Sequence, residues 1–171
     1  MSRAFVKDDG DDGRVLVPER APLPAGTPNL VTPSGMRALD AEHAALSAER
    51  DALAADPDAA DRSRRTTIVR ASLEALEERL ASARLVPPGP DDEVVRFGAH
   101  VVLEDDDAST LRVRIVGVDE ADALEGRIAF TAPLAAALLD RRRGDEVEVA
   151  GGAGRRRWRI VAVDPGASTD P

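Results

Sequence analysis

The chain has 171 residues, with 23 Lys plus Arg against 32 Asp plus Glu, a formal charge of −9. That length holds one compact domain with an appendage, or two small modules, and excludes a large multidomain enzyme. The acidity argues against nonspecific attachment to a phosphate backbone, and the absence of cysteine excludes a disulfide framework, a thiolate metal site and a Cys nucleophile.

Aromatic residues are confined to Phe5, Phe97, Phe130 and Trp158, so the core must be built from Val, Leu, Ile and Ala. A sheet that stacks bases on aromatic side chains is hard to assemble from so few. No apolar run approaches the roughly 18 residues of a membrane span, and the N-terminal MSRAFVKDDGDDG lacks the apolar core of a signal peptide. The expectation is a cytoplasmic protein with no membrane partner.

In chain order, residues 1–29 read as a flexible acidic arm, with Asp8, Asp9, Asp11 and Asp12, four prolines and few large apolar side chains to offset backbone entropy. Residues 30–86 carry two amphipathic segments. Thr32 is placed as an N-cap before Pro33, and Met36, Leu39, His43, Leu46, Arg50 and Leu53 step by three and four. The first helix should end near Asp56-Pro57, because proline disfavours helical geometry in the residue before it. Beyond the turn Val69, Leu73, Leu76, Leu80 and Ala83 repeat the pattern, with Glu74, Glu77, Glu78 and Arg79 outside. An antiparallel helical hairpin follows, a projecting rod roughly 30 to 40 Å long at helical rise.

The Pro-rich stretch around Val86-Pro87-Pro88-Gly89-Pro90 makes residues 87–93 a stiff linker. From 94 to 164 the period changes to two. Val95, Phe97, Ala99 and Val101 alternate, then Leu111, Val113 and Ile115, then Val147 and Val149, then Trp158, Ile160 and Ala162. Glu104–Asp107 and Gly151–Gly154 read as hairpin turns. Thr131–Leu139 reads as a short helix with Pro133 at its start, closed by Gly144-Asp145. The fold class is therefore α+β: an N-terminal antiparallel helical hairpin, then a mostly antiparallel sheet with one short helix, then a loose tail at 165–171.

Little in the chain points to catalysis. His43 lies on the helical seam and His100 in a strand, neither near a second ligand or a nucleophile. The Gly151–Gly154 tract precedes a strand rather than a helix and so forms no phosphate loop. Arg141–Arg143 and Arg155–Arg157 read as solvated charge at a helix end and a hairpin, or else as a dedicated contact. Asp56, Asp58 and Asp61 at the hairpin tip could hold a divalent cation through carboxylate oxygens, and the same residues suit a turn and a helix N-cap.

The order of parts, with Val95-Arg96-Phe97-Gly98-Ala99, Ile115-Val116-Gly117-Val118-Asp119-Glu120-Ala121-Asp122, Pro133-Leu134-Ala135, Leu138-Leu139 and Gly144-Asp145-Glu146-Val147, resembles the Gre family of bacterial transcription elongation factors over roughly residues 30–164. Thr32, Gly35, Leu39, Glu42 and Leu46 resemble the start of that family's first helix. The resemblance implies an FKBP-like C-terminal domain that docks on RNA polymerase, with Asp119, Glu120, Asp122, Pro133 and Leu134 as partner-binding residues. It also implies a coiled coil that enters the polymerase's secondary channel, a monomer, and nucleic acid met only within the elongation complex. Tip carboxylates, here Asp56, Asp58 and Asp61, would share a Mg²⁺ with the polymerase active site, and the chain would have no cofactor of its own. It would not be an enzyme but at most a stimulator of the polymerase's own RNA cleavage. The cleavage-promoting members carry a tip of the form GD-x-x-EN-A-x-Y on arms roughly two heptads longer. Here the turn reads Ala55-Asp56-Pro57-Asp58-Ala59-Ala60-Asp61, which implies the alternative of a non-cleaving, inhibitory homologue. Peptidyl-prolyl isomerase activity is disfavoured, because its pocket is lined with aromatics that this module lacks.

Overall fold

The computed structural model describes residues 20–55, 59–151 and 154–166. The acidic stretch around Asp8–Asp12, most of the proposed loose tail, and Asp56 and Asp58 lie outside the described residues. The N-terminal part is the helical hairpin. Helix α1 (Pro33–Ala54) begins where expected: the Thr32 hydroxyl accepts from Gly35 N at 3.0 Å and Pro33 occupies the first helical position. The backbone leaves the helix at Ala55, and α2 (Ala59–Ser82) runs back. At 1.5 Å per residue these arms are about 33 and 36 Å long.

Their shared seam holds two apolar clusters. Leu53, Val69 and Leu73 form one along the rod, and Leu39 and Leu76 join Val31 at the base. Leu76 has no exposed surface. His43, between them, stays partly exposed 3.6 Å from Glu77 across the hairpin, and Arg50 is exposed beside Asp51.

The base of the rod departs from the expected pattern. Ala83 does not continue the second helix. Strand β1 (Asn29–Val31) pairs in parallel with β2 (Ala83–Leu85), so the chain leaves α2 at Ser82 directly into extended structure. Asn29, expected in the arm, is buried and donates to Arg79 O at 2.8 Å and to Ser82 Oγ at 3.1 Å. It thereby satisfies one of the carbonyls that a helix end leaves without a partner.

The C-terminal module is a five-stranded sheet in the order β5-β4-β3-β7-β6, with β3 (His100–Glu104), β4 (Thr110–Val116), β5 (Arg127–Ala129), β6 (Glu146–Gly151) and β7 (Gly154–Asp164). Four of the strands pair antiparallel. The fifth, β5, which the alternation did not mark, runs parallel to β4 after a crossover through two 3₁₀ turns, Val118–Glu120 and Ala123–Glu125, so the sheet is mostly antiparallel as expected. The run Val95–Ala99 is buried but is not part of a strand. Val95 N donates to Arg141 O at 2.7 Å, Asp140 N donates to Val95 O at 2.9 Å, and Gly98 turns the chain with φ of 89°.

Helix α3 (Pro133–Leu138) covers one face, burying Ala135 and Leu138 among Val101, Leu103, Val113, Ile115, Trp158 and Ile160. It ends at Leu138, so Arg141–Arg143 lie in the following turn rather than at the helix end, and Gly144 serves that turn with φ of 93°. Phe97 and Phe130 meet edge to face at 5.7 Å.

Candidate functional site

The segment Gly117–Asp122, part of the motif that carries the family resemblance, leaves the sheet at the end of β4 and meets the base of the rod. Its geometry is that of a helix cap split between two modules. A Glu three residues after a Thr N-cap commonly reaches back to the cap's backbone N–H. In α1 that third position is Gly35, and the carboxylate comes instead from Glu120, 88 positions beyond Thr32 in the chain. Glu120 Oε1 accepts from Thr32 N at 3.0 Å and from Gly117 N at 3.1 Å, while Oε2 accepts from the Thr32 hydroxyl.

The fit depends on two glycines. A Cβ at Gly35 would lie 2.1 Å from Glu120 Cδ, and one at Gly117 would lie 2.4 Å from Leu30 O. Asp119, beside it, is 8% exposed and stands 3.2 Å from Arg79 Nε of α2 and 3.6 Å from Arg20 Nη1. Asp119 and Glu120 are thus engaged within the chain. A cleft of about 680 Å³ opens next to this joint, between Ser34, Ala38 and Glu42 on α1 and His100, Arg112 and Arg127 on the sheet.

Asp122, Pro133 and Leu134 flank the sheet's outer strand β5. Asp122 accepts from Leu124 N at 3.0 Å and stands 3.4 Å from Arg127 Nη2. Its backbone also pairs with Arg127. Pro133 is exposed at the start of α3, while Leu134 is half-buried against the core. Between Asp122 and β5 stands a residue that the sequence reading passed over, Leu124, whose side chain is 100% exposed. Its signal in the sequence was an apolar residue inside an otherwise charged turn, which periodicity alone cannot distinguish from a core position.

The tip lies at the far end of both helices from the joint. Asp61 falls in the first turn of α2, and its side chain, like all of Asp56 and Asp58, is outside the described residues. Three carboxylates within residues 56–61 of the sequence are the hard oxygen donors that suit Mg²⁺. Among the described residues no group of three or more His, Asp or Glu is placed to hold a metal. The arginine clusters find partners inside the module: Arg143 pairs with Glu93 at 3.0 Å and Arg155 with Glu148 at 3.8 Å. Arg156 lies 5.0 Å over the Trp158 ring and 3.2 Å from Asp105. Beside the linker, Arg96 donates to Asp92 at 2.8 Å, and that bond holds the Asp92 carboxyl down at about 2. Among the described residues no helix is long and apolar enough to cross a membrane.

Residues 90–165 match the family described as "Transcription elongation factor, GreA/GreB, C-term". The transcription elongation factor GreA of Acidiphilium cryptum is 38% identical over 101 residues, 58% of this chain, and the chain spans 64% of that relative's length. The transcription elongation factor GreB of Pseudomonas aeruginosa is 34% identical over 160 residues, covering 85% of this chain and 95% of its own. Among solved structures, the GreA factor homolog 1 (Gfh1) protein of Thermus thermophilus is 23% identical, with a TM-score of 0.40 over 81% of this chain and 99% of its own. On the breadth of the GreB match, which runs through hairpin and sheet alike, the chain belongs to the GreA/GreB family of transcription elongation factors.

Proposed function

We propose that this protein binds RNA polymerase through the β5 edge of its sheet module and places the hairpin in the polymerase's secondary channel, altering elongation by occupancy. The observation that carries the reading is a two-helix rod fixed by a buried ionic joint to a module that leaves Leu124 fully exposed in the turn before its edge strand β5 and Pro133 exposed at the start of α3. A Leu left fully exposed buries nothing within its own chain, so all of its apolar surface is gained when a partner covers it. Asp122 positions the turn that bears it. Asp119 and Glu120 act inside the chain, holding the rod.

Asp56, Asp58 and Asp61 would be the residues to hold a divalent cation at the rod's end. Such a cation, when bound, activates water for phosphodiester cleavage. The chain's own part is limited to carboxylate oxygens. The stretch Ala55-Asp56-Pro57-Asp58-Ala59-Ala60-Asp61 does not have the GD-x-x-EN-A-x-Y form of the cleavage-promoting members. That departure favours a factor that fills the channel without strongly stimulating transcript cleavage, and that contributes no catalytic group of its own.

The test is retention of bacterial RNA polymerase by the full chain and by Leu124→Asp and Pro133→Asp variants. Docking at the β5 edge predicts at least about tenfold weaker retention for Leu124→Asp, the scale of a central apolar anchor. Equal retention by all three chains would refute the assignment.

A further inference from the structure

We propose that residues 20–28 form a strap that fixes the angle of the hairpin on the sheet module, with Arg20 as its positioning residue. The strap touches all three bodies at the joint. The Arg20 guanidinium donates to Glu42 on α1 and stands 3.6 Å from Asp119 on the sheet module. The next carbonyl, that of Ala21, accepts from Arg79 Nη2 of α2 at 2.5 Å. From there the segment reaches β1 through Pro22, Pro24 and Pro28, with Thr27 N bonded to Pro24 O at 3.0 Å. Three prolines and the turn closed by Thr27 N, with Gly26 at φ of 75°, restrict its backbone.

Asp119 shows why the strap is needed. Its carboxylate is 8% exposed, and Oδ2 accepts no hydrogen bond, so two guanidinium charges compensate its burial. Arg79 supplies one from the hairpin and Arg20 the other from the strap. Arg79 and the Glu120 cap both act at the rod's base, where they resist separation better than rotation. Glu42 lies ten residues into α1. A tie there works with a lever arm of about 15 Å at helical rise, so it resists swinging of the rod. The lever also magnifies any slack: a 10° swing of a rod about 33 Å long carries its tip about 6 Å. On the polymerase reading, which this inference deepens, Arg20 decides where in the channel the tip comes to rest.

The distance from tip to sheet in the free, full-length chain tests this without polymerase, so failure of docking leaves the test intact. The chain contains no cysteine, and Ala54→Cys with Ala150→Cys, both exposed positions, would carry spin labels for pulsed EPR. A single narrow distance is expected in the parent. Arg20→Ala should raise the displaced fraction about fivefold, the upper range for a partly exposed ion pair. Glu42→Gln should do the same, and Arg20→Lys, which keeps the charge but loses the fork, should fall between. Arg65→Ala, which breaks a pair with Glu49 inside the rod, should leave the distance unchanged. Circular dichroism of each variant should match the parent, showing that its helices are kept. An Arg20→Ala distribution that coincides with the parent would overturn the proposal, as would equal broadening by Arg65→Ala.

Discussion

Gly35→Ala is the most discriminating perturbation of the split cap. Alanine in a helix is ordinarily favoured over glycine by about 1 kcal/mol. Here the new Cβ would stand 2.1 Å from Glu120 Cδ. Glutamate is a flexible side chain, but its end is tied by bonds to Thr32 N at 3.0 Å, Gly117 N at 3.1 Å and the Thr32 hydroxyl. Moving it aside forfeits those bonds, and hydrogen bonds to a charged group contribute about 1.5 to 3 kcal/mol each, with losses that overlap within one network. Losing most of the network costs about 2 to 4 kcal/mol, and the helix preference returns about 1, for a net loss of about 1 to 3 kcal/mol. In an Glu120→Ala background the obstacle is gone, so the same Gly35→Ala change should stabilise by up to about 1 kcal/mol. Urea unfolding of the four chains of this double-mutant cycle measures both numbers. A Gly35→Ala effect of the same sign and size in the two backgrounds would refute the split cap.

Leu76→Ala removes a side chain with no exposed surface from between Leu39 and Val31, and should cost about 2 to 5 kcal/mol by chemical denaturation while the sheet's Trp158 fluorescence is retained to higher denaturant. Gly117→Ala should push β1 away from the sheet module, because its Cβ would meet Leu30 O at 2.4 Å, and the loss should appear as faster amide exchange in residues 29–31 with β3 and β7 unaffected. The Asp92 carboxyl, lowered from 3.8 to about 2 chiefly by its hydrogen bond to Arg96, should titrate near that value by NMR. Since its folded value is depressed, the stabilisation is present above about 3.8 and is lost as pH falls through about 2. Arg96→Ala should return the titration toward the ordinary value.

What the sequence revealed was what local chemistry decides. The Thr32-Pro33 start needs only three neighbouring residues, and the seam Leu39, Leu53, Val69, Leu73 and Leu76 is written in its own spacing. Where partners are distant, the pattern misled. Ala83 continues the helical period, yet it is taken into β2 because β1, more than 50 positions earlier, offers a parallel ladder. Val95–Ala99 alternates like a strand but is bent by Gly98 and bonded to the turn after α3. The three residues of β5 are too few to show an alternation, and the two 3₁₀ turns before it carry the chain over to a parallel approach. The acidic segment was legible as a motif, but its use was not: nothing local says that Glu120 caps a helix 88 positions away, or that Gly35 is small to admit it. Leu124 escaped for the opposite reason, since exposure is a property of the assembled surface.

Occupancy of the polymerase channel without strong stimulation of cleavage is tested by transcript cleavage in backtracked RNA polymerase complexes with Mg²⁺ present, comparing no factor, the wild-type chain, and the triple variant Asp56→Asn, Asp58→Asn and Asp61→Asn, with polymerase binding measured alongside. Both chains should bind equally, and neither should raise cleavage more than about twofold over the polymerase alone, a difference of under about 0.5 kcal/mol in barrier. Strong cleavage with the wild-type chain that disappears in the triple variant, at unchanged binding, would contradict it and make the three aspartates the functional site.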